Sequence, residues 1–192
     1  MYTKFFLNFI LILLILFVSS CTDDNSKEVQ QKVKENVIKE STNMKFDSFC
    51  FSLDSNWIQK YDTDSLIAFV KKREEGKPYK TNFSMMKIQL NKNSQQNIDE
   101  LVVSNIKQLH DVYSKVNILS IDSNFVNEKN KRRVMFSAIT YDGTEIGTSL
   151  LLWVDNNYFF IFSYQGYNKA GIFENEIPLV QSIETTITKC ND

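Results

Sequence analysis

TSLLLWVDNNYFFIFSY, residues 148–164, holds two apolar runs on either side of Asp-Asn-Asn. A strand with one wet face alternates apolar and polar side chains, but LLLWV (150–154) and YFFIF (158–162) are apolar on both faces. Strands of that kind need a layer of structure on each side. The DNN between them supplies the residues a hairpin turn requires.

Outward from this pair the pattern extends to a four-stranded meander over about 116–126, 133–141, 145–154 and 158–165, with turns NEKNK, DGT and DNN. Downstream, GIFENEIPLVQSIETTI sets Phe173, Ile177, Val180, Ile183 and Ile187 at helical spacing and offers one covering layer. Pro178 falls in the first turn of its second half, where a missing N–H costs little. Upstream, NIDELVVSNIKQLHDVY predicts a second helix. Asn97 and Glu100 stand at N-cap and N3 spacing, and Ile98, Leu101, Val102, Asn105, Leu109 and Val112 share one side.

The folded part opens with FDSFCFSL (46–53), read as a strand in which Phe49, Phe51 and Leu53 face one way and Cys50 and Ser52 the other. A DSNW turn delivers Trp57. Strands follow at 66–72, with the charged exit KKREEGKP read as a solvated hairpin loop, and at 82–90. No internal repeat is evident, and the class is α+β.

The N-terminus reads separately. Lys4 precedes an apolar core of about 14 residues, Phe5 to Val18, too short to cross a bilayer of roughly 30 Å but the length of a signal-peptide core. It ends in Val18-Ser19-Ser20-Cys21, which resembles the bacterial lipobox: an apolar residue, two small ones, then cysteine. The resemblance implies cleavage after residue 20 and lipidation of Cys21, and two or three acyl chains hold a domain on a membrane where one does not. Asp23 and Asp24 look like a surface-export signal, and Thr22 is not the aspartate of inner-membrane retention, so the outer membrane is expected with either face open. Residues 21–44 are polar, with Val29, Val33 and Val37 as a thin stripe, and read as a lipidated flexible tether spanning roughly 25 to 30 Å. The expected organisation is signal peptide 1–20, tether 21–44 and globular domain 45–192.

Removal of residues 1–20 leaves 21 basic and 23 acidic residues in a chain of 172, a net charge of −2. That balance argues against a nucleic-acid binder. The length suffices for one domain with a real core.

The F-x-F-x-L…W opening (Phe49, Phe51, Leu53, Trp57), TNFSMMKIQL (81–90) before the helix, and Ser182-Ile183 near the end give an element order that resembles the PsbP-like fold. This group includes photosystem oxygen-evolving subunits, a Ran-binding nuclear import factor and DcrB-type bacterial lipoproteins, the last closest by context. Asp54-Ser55-Asn56 stands where many relatives have a proline turn. The resemblance implies a three-layer α/β/α sandwich around a mostly antiparallel sheet, two main helices, and a binding or scaffolding role without a shared ligand.

No reaction is named by the residues. The only histidine, His110, sits on an amphipathic helix beside Asp111, about 100° away in azimuth and poorly placed to orient it as a base. There is no Cys/His cluster for zinc, no calcium-loop spacing around Asp62, Asp64, Asp99 or Glu100, and no phosphate-cradling glycine loop, so neither metal nor cofactor is expected. The basic group Lys129, Lys131, Arg132 and Arg133 reads as a charged hairpin tip, or as an anion site. Phe159, Phe160, Phe162 and Tyr164 read as core, while Tyr164 and Tyr167 at the strand end are the candidate ligand-binding residues.

With Cys21 lipidated, Cys50 and Cys190 remain: either a disulfide closing a loop of about 140 residues, or one buried and one frayed thiol. Two functions are carried forward. One is a non-catalytic, membrane-tethered interaction module that docks an envelope protein by a sheet edge or loops and shows an apolar patch rimmed by charge. The other is a small-ligand or lipid carrier with an enclosed cavity.

Overall fold

The structure is a computed structural model that describes residues 36–37, 42–54, 56–72, 81–90, 97–123 and 130–190. The signal segment, Cys21 and most of the tether lie outside these residues, as does Lys129. The elements in chain order are β1 (Asn36–Val37), β2 (Thr42–Phe46), β3 (Phe49–Leu53), β4 (Trp57–Asp62), β5 (Leu66–Lys71), β6 (Asn82–Gln89), α1 (Ile98–Val112), β7 (Lys115–Asp122), β8 (Lys131–Ile139), β9 (Glu145–Asp155), β10 (Tyr158–Tyr167), α2 (Ile177–Thr186) and β11 (Thr188–Lys189).

The two doubly apolar runs form the centre. β9 pairs with β10 antiparallel, Leu151 opposite Phe162 and Trp153 opposite Phe160. Asn156 and Asn157 both take positive φ, 47° and 66°, as a two-residue hairpin matched to strand twist demands. The large sheet runs β1-β4-β5-β6-β10-β9-β8-β7, and a small sheet runs β11-β3-β2, every pairing antiparallel.

Alternation along β9 and β10 then divides the core in two. Leu151, Trp153, Phe160, Phe162 and Tyr164 join Phe49, Phe51, Trp57, Phe69 and Phe83 on one face. Leu150, Leu152, Phe159 and Ile161 join Ile98, Leu101, Val102, Leu109 and Val112 of α1 on the other. The result is the α+β, three-layer arrangement with two helices on an antiparallel sheet. On the first face α2 shares the outer layer with the small sheet, against whose β3 it packs.

Three local readings change. FDSFCFSL is not one strand: Asp47 at φ 55° and Ser48 turn the chain, so Phe46 closes β2 and Phe49 opens β3. Asp and Ser are turn formers, and Asp tolerates the left-handed region. β2 accordingly takes Thr42, Asn43 and Met44 from the stretch read as tether, with Met44 packed against the aromatic core, and Val37 of the valine stripe lies in β1. The closing helix is also divided, a 3₁₀ segment Lys169–Glu176 preceding α2. Pro178 is its second residue; it has no N–H to donate to Glu174, whose carbonyl takes the Ile177 N–H instead. Phe173 of this segment seats over Gly147, where any side chain would collide with the ring.

Helix α1 follows its sequence signals. The side chains buried are Ile98, Leu101, Val102, Asn105, Leu109 and Val112. Asn97 caps the helix, its Oδ1 accepting from the Asp99 N–H at 3.1 Å.

Candidate docking edge

Strand β7 ends the large sheet. It pairs with β8, and no described strand lies beyond it. Its position follows from α1: the Tyr113 N–H bonds the Leu109 carbonyl to close the helix, and the Ser114 hydroxyl donates to the Ile139 carbonyl at 2.8 Å. The chain therefore enters β7 already docked on β8.

Val116 lies opposite Ala138 and Ile118 opposite Phe136, half-buried against the helix-side core. Then the register shifts. Ser120 faces Met135, Ile121 faces Val134 and Asp122 faces Arg133, so Leu119 is a bulge residue with no counterpart on β8. Cross-strand partners share a face. Lys115, Asn117, Ser120 and Asp122 thus lie toward the aromatic side, and Val116, Ile118 and Ile121 toward the helix side. The bulge leaves Leu119 48% and Ile121 54% exposed. Val103 on α1 and Tyr141 in the β8–β9 turn are also exposed, the Tyr141 hydroxyl donating to the Asp111 carbonyl at 3.4 Å.

Charge rims this edge. Lys115 is exposed at one end, and Asp122 at the other lies 3.8 Å from Arg133. In the β8–β9 turn the Asp142 carboxyl is held below its ordinary value, first by the Thr140 hydroxyl and then by the Thr144 N–H.

The two arginines of β8 are spent in clamping. Arg132 turns to the helix side, where Nε and Nη2 reach both carboxylate oxygens of Asp99 at 2.8 and 3.2 Å. Arg133 turns to the other side and meets Glu184 of α2, a buried carboxylate that also accepts from the Ser149 hydroxyl. Neighbouring arginines thus tie the two helices to opposite faces, which does not assemble an anion site from them.

Tyr164 and Tyr167 are not brought together. Tyr164 is buried on the aromatic side, its hydroxyl donating to Glu176 Oε2 at 3.2 Å, whereas Tyr167 packs against the helix-side core. An odd separation along a strand puts two side chains on opposite faces, so they do not share a pocket. Gln165, next to Tyr164, is only 1% exposed. Its Nε2 donates to the Tyr113 hydroxyl at 3.0 Å and to Thr148 Oγ1 at 3.3 Å, and its Oε1 accepts from Asn82 Nδ2 at 3.3 Å. Burial pushes the Tyr113 hydroxyl upward, so it stays protonated at any physiological pH.

His110 is exposed, and among the described residues no three His, Cys, Asp or Glu side chains stand close enough to hold a metal ion. Cys50 and Cys190 form a disulfide, Cα atoms 5.1 Å apart, on the outward side of β3 where β11 pairs with it. Sequence reasoning passed over Leu119 and Ile121. KVNILSID reads as one strand of a meander, and the bulge that exposes them leaves no mark in the residue types.

No family model and no curated protein matches the sequence. Solved structures do share the fold. The cyanobacterial PsbP (CyanoP) from Synechocystis aligns with a TM-score of 0.57 over 87% of this chain and 99% of its own, at 8% identity. The Ran-binding protein Mog1p of Saccharomyces cerevisiae aligns with a TM-score of 0.55 over 79% and 96%, at 9% identity. A Pseudomonas aeruginosa protein of unknown function aligns with a TM-score of 0.52 over 79% and 99%, at 8% identity. The fold is that of the Mog1/PsbP-like proteins. At such identities the likeness is one of fold alone.

Proposed function

We propose that this chain is a non-catalytic interaction module of the bacterial envelope, anchored by lipid on Cys21, whose domain docks an envelope protein by strand addition at β7. The observation that carries the reading is an edge strand, with no described strand beyond it, whose Leu119 and Ile121 are about half exposed and which carries charge at both ends. An edge of this kind offers main-chain hydrogen bonds for affinity and alternate side chains for specificity.

The lipobox-like Val18-Ser19-Ser20-Cys21 supports the anchor and, with Thr22 and the acidic residues after it, the outer membrane. The interior favours docking over carriage, because the aromatic side is filled by rings in mutual contact. Phe83 alone meets Phe51, Trp57, Phe69 and Phe162 at centroid distances of 5.0 to 6.0 Å. The near-neutral charge favours a protein partner over nucleic acid.

The test places a photo-crosslinking residue at Leu119 or Ile121 in intact cells, with the exposed Asp64 as the off-edge position and Cys21→Ala as the unanchored control. The expected outcome is a discrete adduct from the edge positions, weakened in the unanchored form. Equal labelling from Asp64 would dismiss the edge, and undiminished adducts with Cys21→Ala would dismiss the anchor.

A further inference from the structure

We propose that β7 pairs with β7 of a second copy of this chain, joining two large sheets across a two-fold axis. This rests on the reading of β7 as a docking strand and names its partner. A two-fold edge contact must be self-complementary, each residue meeting its counterpart in reverse order. KVNILSID meets that requirement in the order of its residue types. Antiparallel to itself it sets Lys115 against Asp122, Val116 against Ile121, Asn117 against Ser120, and Ile118 against Leu119: charge on opposite charge, polar on polar, and apolar on apolar.

In a regular strand this register is forbidden. Lys115 and Asp122 are separated by an odd number of positions and would project from opposite faces, so they could not sit side by side across a seam. The bulge removes the obstacle. Because the register shifts between Ile118 and Ser120, Lys115, Asn117, Ser120 and Asp122 share the aromatic-side face, while Val116, Ile118 and Ile121 share the helix-side face. Each of the flanking pairs, Lys115–Asp122, Val116–Ile121 and Asn117–Ser120, therefore lies on one side of the joined sheet.

A bulge on an edge strand ordinarily serves to discourage pairing with other chains. Here it exposes Leu119 and Ile121 and also puts the strand in phase with its own reverse. A two-fold axis perpendicular to the sheet keeps both copies of α1, with exposed Val103, on one side of the seam. Two copies held on one membrane meet at a far higher effective concentration than in solution, so a contact as small as one strand pair suffices there.

The experiment mixes full-length chains carrying Val116→Cys with chains carrying Ile121→Cys, under mild oxidation on membranes and after purification. The expected result is a covalent dimer from the mixture and little from either chain alone, since only unlike positions are apposed. Equal crosslinking by the single species would overturn the register. Sedimentation of the purified chain supplies the second arm: Lys115→Asp weakens dimerisation about tenfold or more, and adding Asp122→Lys restores it, as opposed charge pairs require. A chain that stays monomeric, with no mixed crosslink on membranes, overturns self-pairing. If Leu119 and Ile121 still capture an envelope protein, the docking reading survives that loss; if they capture nothing, both fall.

Discussion

The two faces of the large sheet are built from the same strands yet solved differently. On β10, Phe160, Phe162 and Tyr164 enter an interior of interlocked rings roofed by α2 and the small sheet. Phe159 and Ile161 enter a mainly aliphatic layer roofed, among the described residues, by α1. The ring side has extra fastenings: the Cys50–Cys190 disulfide, the Arg133–Glu184 pair across to α2, and Lys87 bridging to Asp47 at 2.6 Å while standing 5.4 Å above the Tyr158 ring. On the helix side a single helix buries its stripe, with the Arg132–Asp99 pair as its clamp to β8. A layer made of a short ribbon and a short helix has little internal cohesion and depends on cross-links to neighbouring elements.

Neighbouring truncations on β10 test this contrast most severely. Phe162→Ala is expected to cost about 4 kcal/mol and Ile161→Ala about 3, measured by urea denaturation. The reverse order would mean that the helix side dominates. Replacing Cys50 and Cys190 together by serine is expected to lower stability by about 3 kcal/mol, since the bridge closes most of the domain into one loop. The same loss in the wild-type protein under reducing conditions sharpens the assignment, and no loss under either condition breaks it.

Glu184→Gln leaves Arg133 facing a neutral amide in a buried place, with an expected loss of about 2 kcal/mol. On the helix side the N-cap gives a smaller effect: Asn97→Ala costs about 1 kcal/mol, read from the denaturation midpoint. The smallest effect belongs to Asp47. Its carboxyl is held below the ordinary 3.8, first by its hydrogen bond to Lys87, so the pair stabilises the fold above that value and the contribution is lost as pH falls through the depressed one. As a surface pair it is expected to contribute a few tenths of a kcal/mol, and Asp47→Asn should remove only that part of the acid-side decline.

Much of this was legible in the residues. The doubly apolar runs 150–154 and 158–162 demanded two covering layers, and α1 was readable to its buried positions because capping and a 3.6-residue period reinforce one another. The division of 171–187 at Pro178 was half legible, since proline marks the break but not that the preceding turn tightens to 3₁₀. The β2–β3 hairpin was missed because TNMKF has one large apolar residue besides Phe46, and its strand character comes from pairing with β3. The candidate tyrosines failed on parity: sequence proximity at a strand end says nothing of sharing a face unless the separation is even.

The sequence by itself determined the class, the central hairpin, the helix that covers one face and the residues of the core, because these follow from local periodicity, turn chemistry and the need to bury apolar surface. Only the tertiary structure decided which strand is left at the edge, where its register slips, and that Arg132 and Arg133 clamp opposite faces. Those depend on strand order and on one residue of shift, quantities that no side chain encodes alone. The candidate docking edge is of this second kind: Leu119 and Ile121 are ordinary strand residues until the strand that carries them is known to be the last of the described sheet.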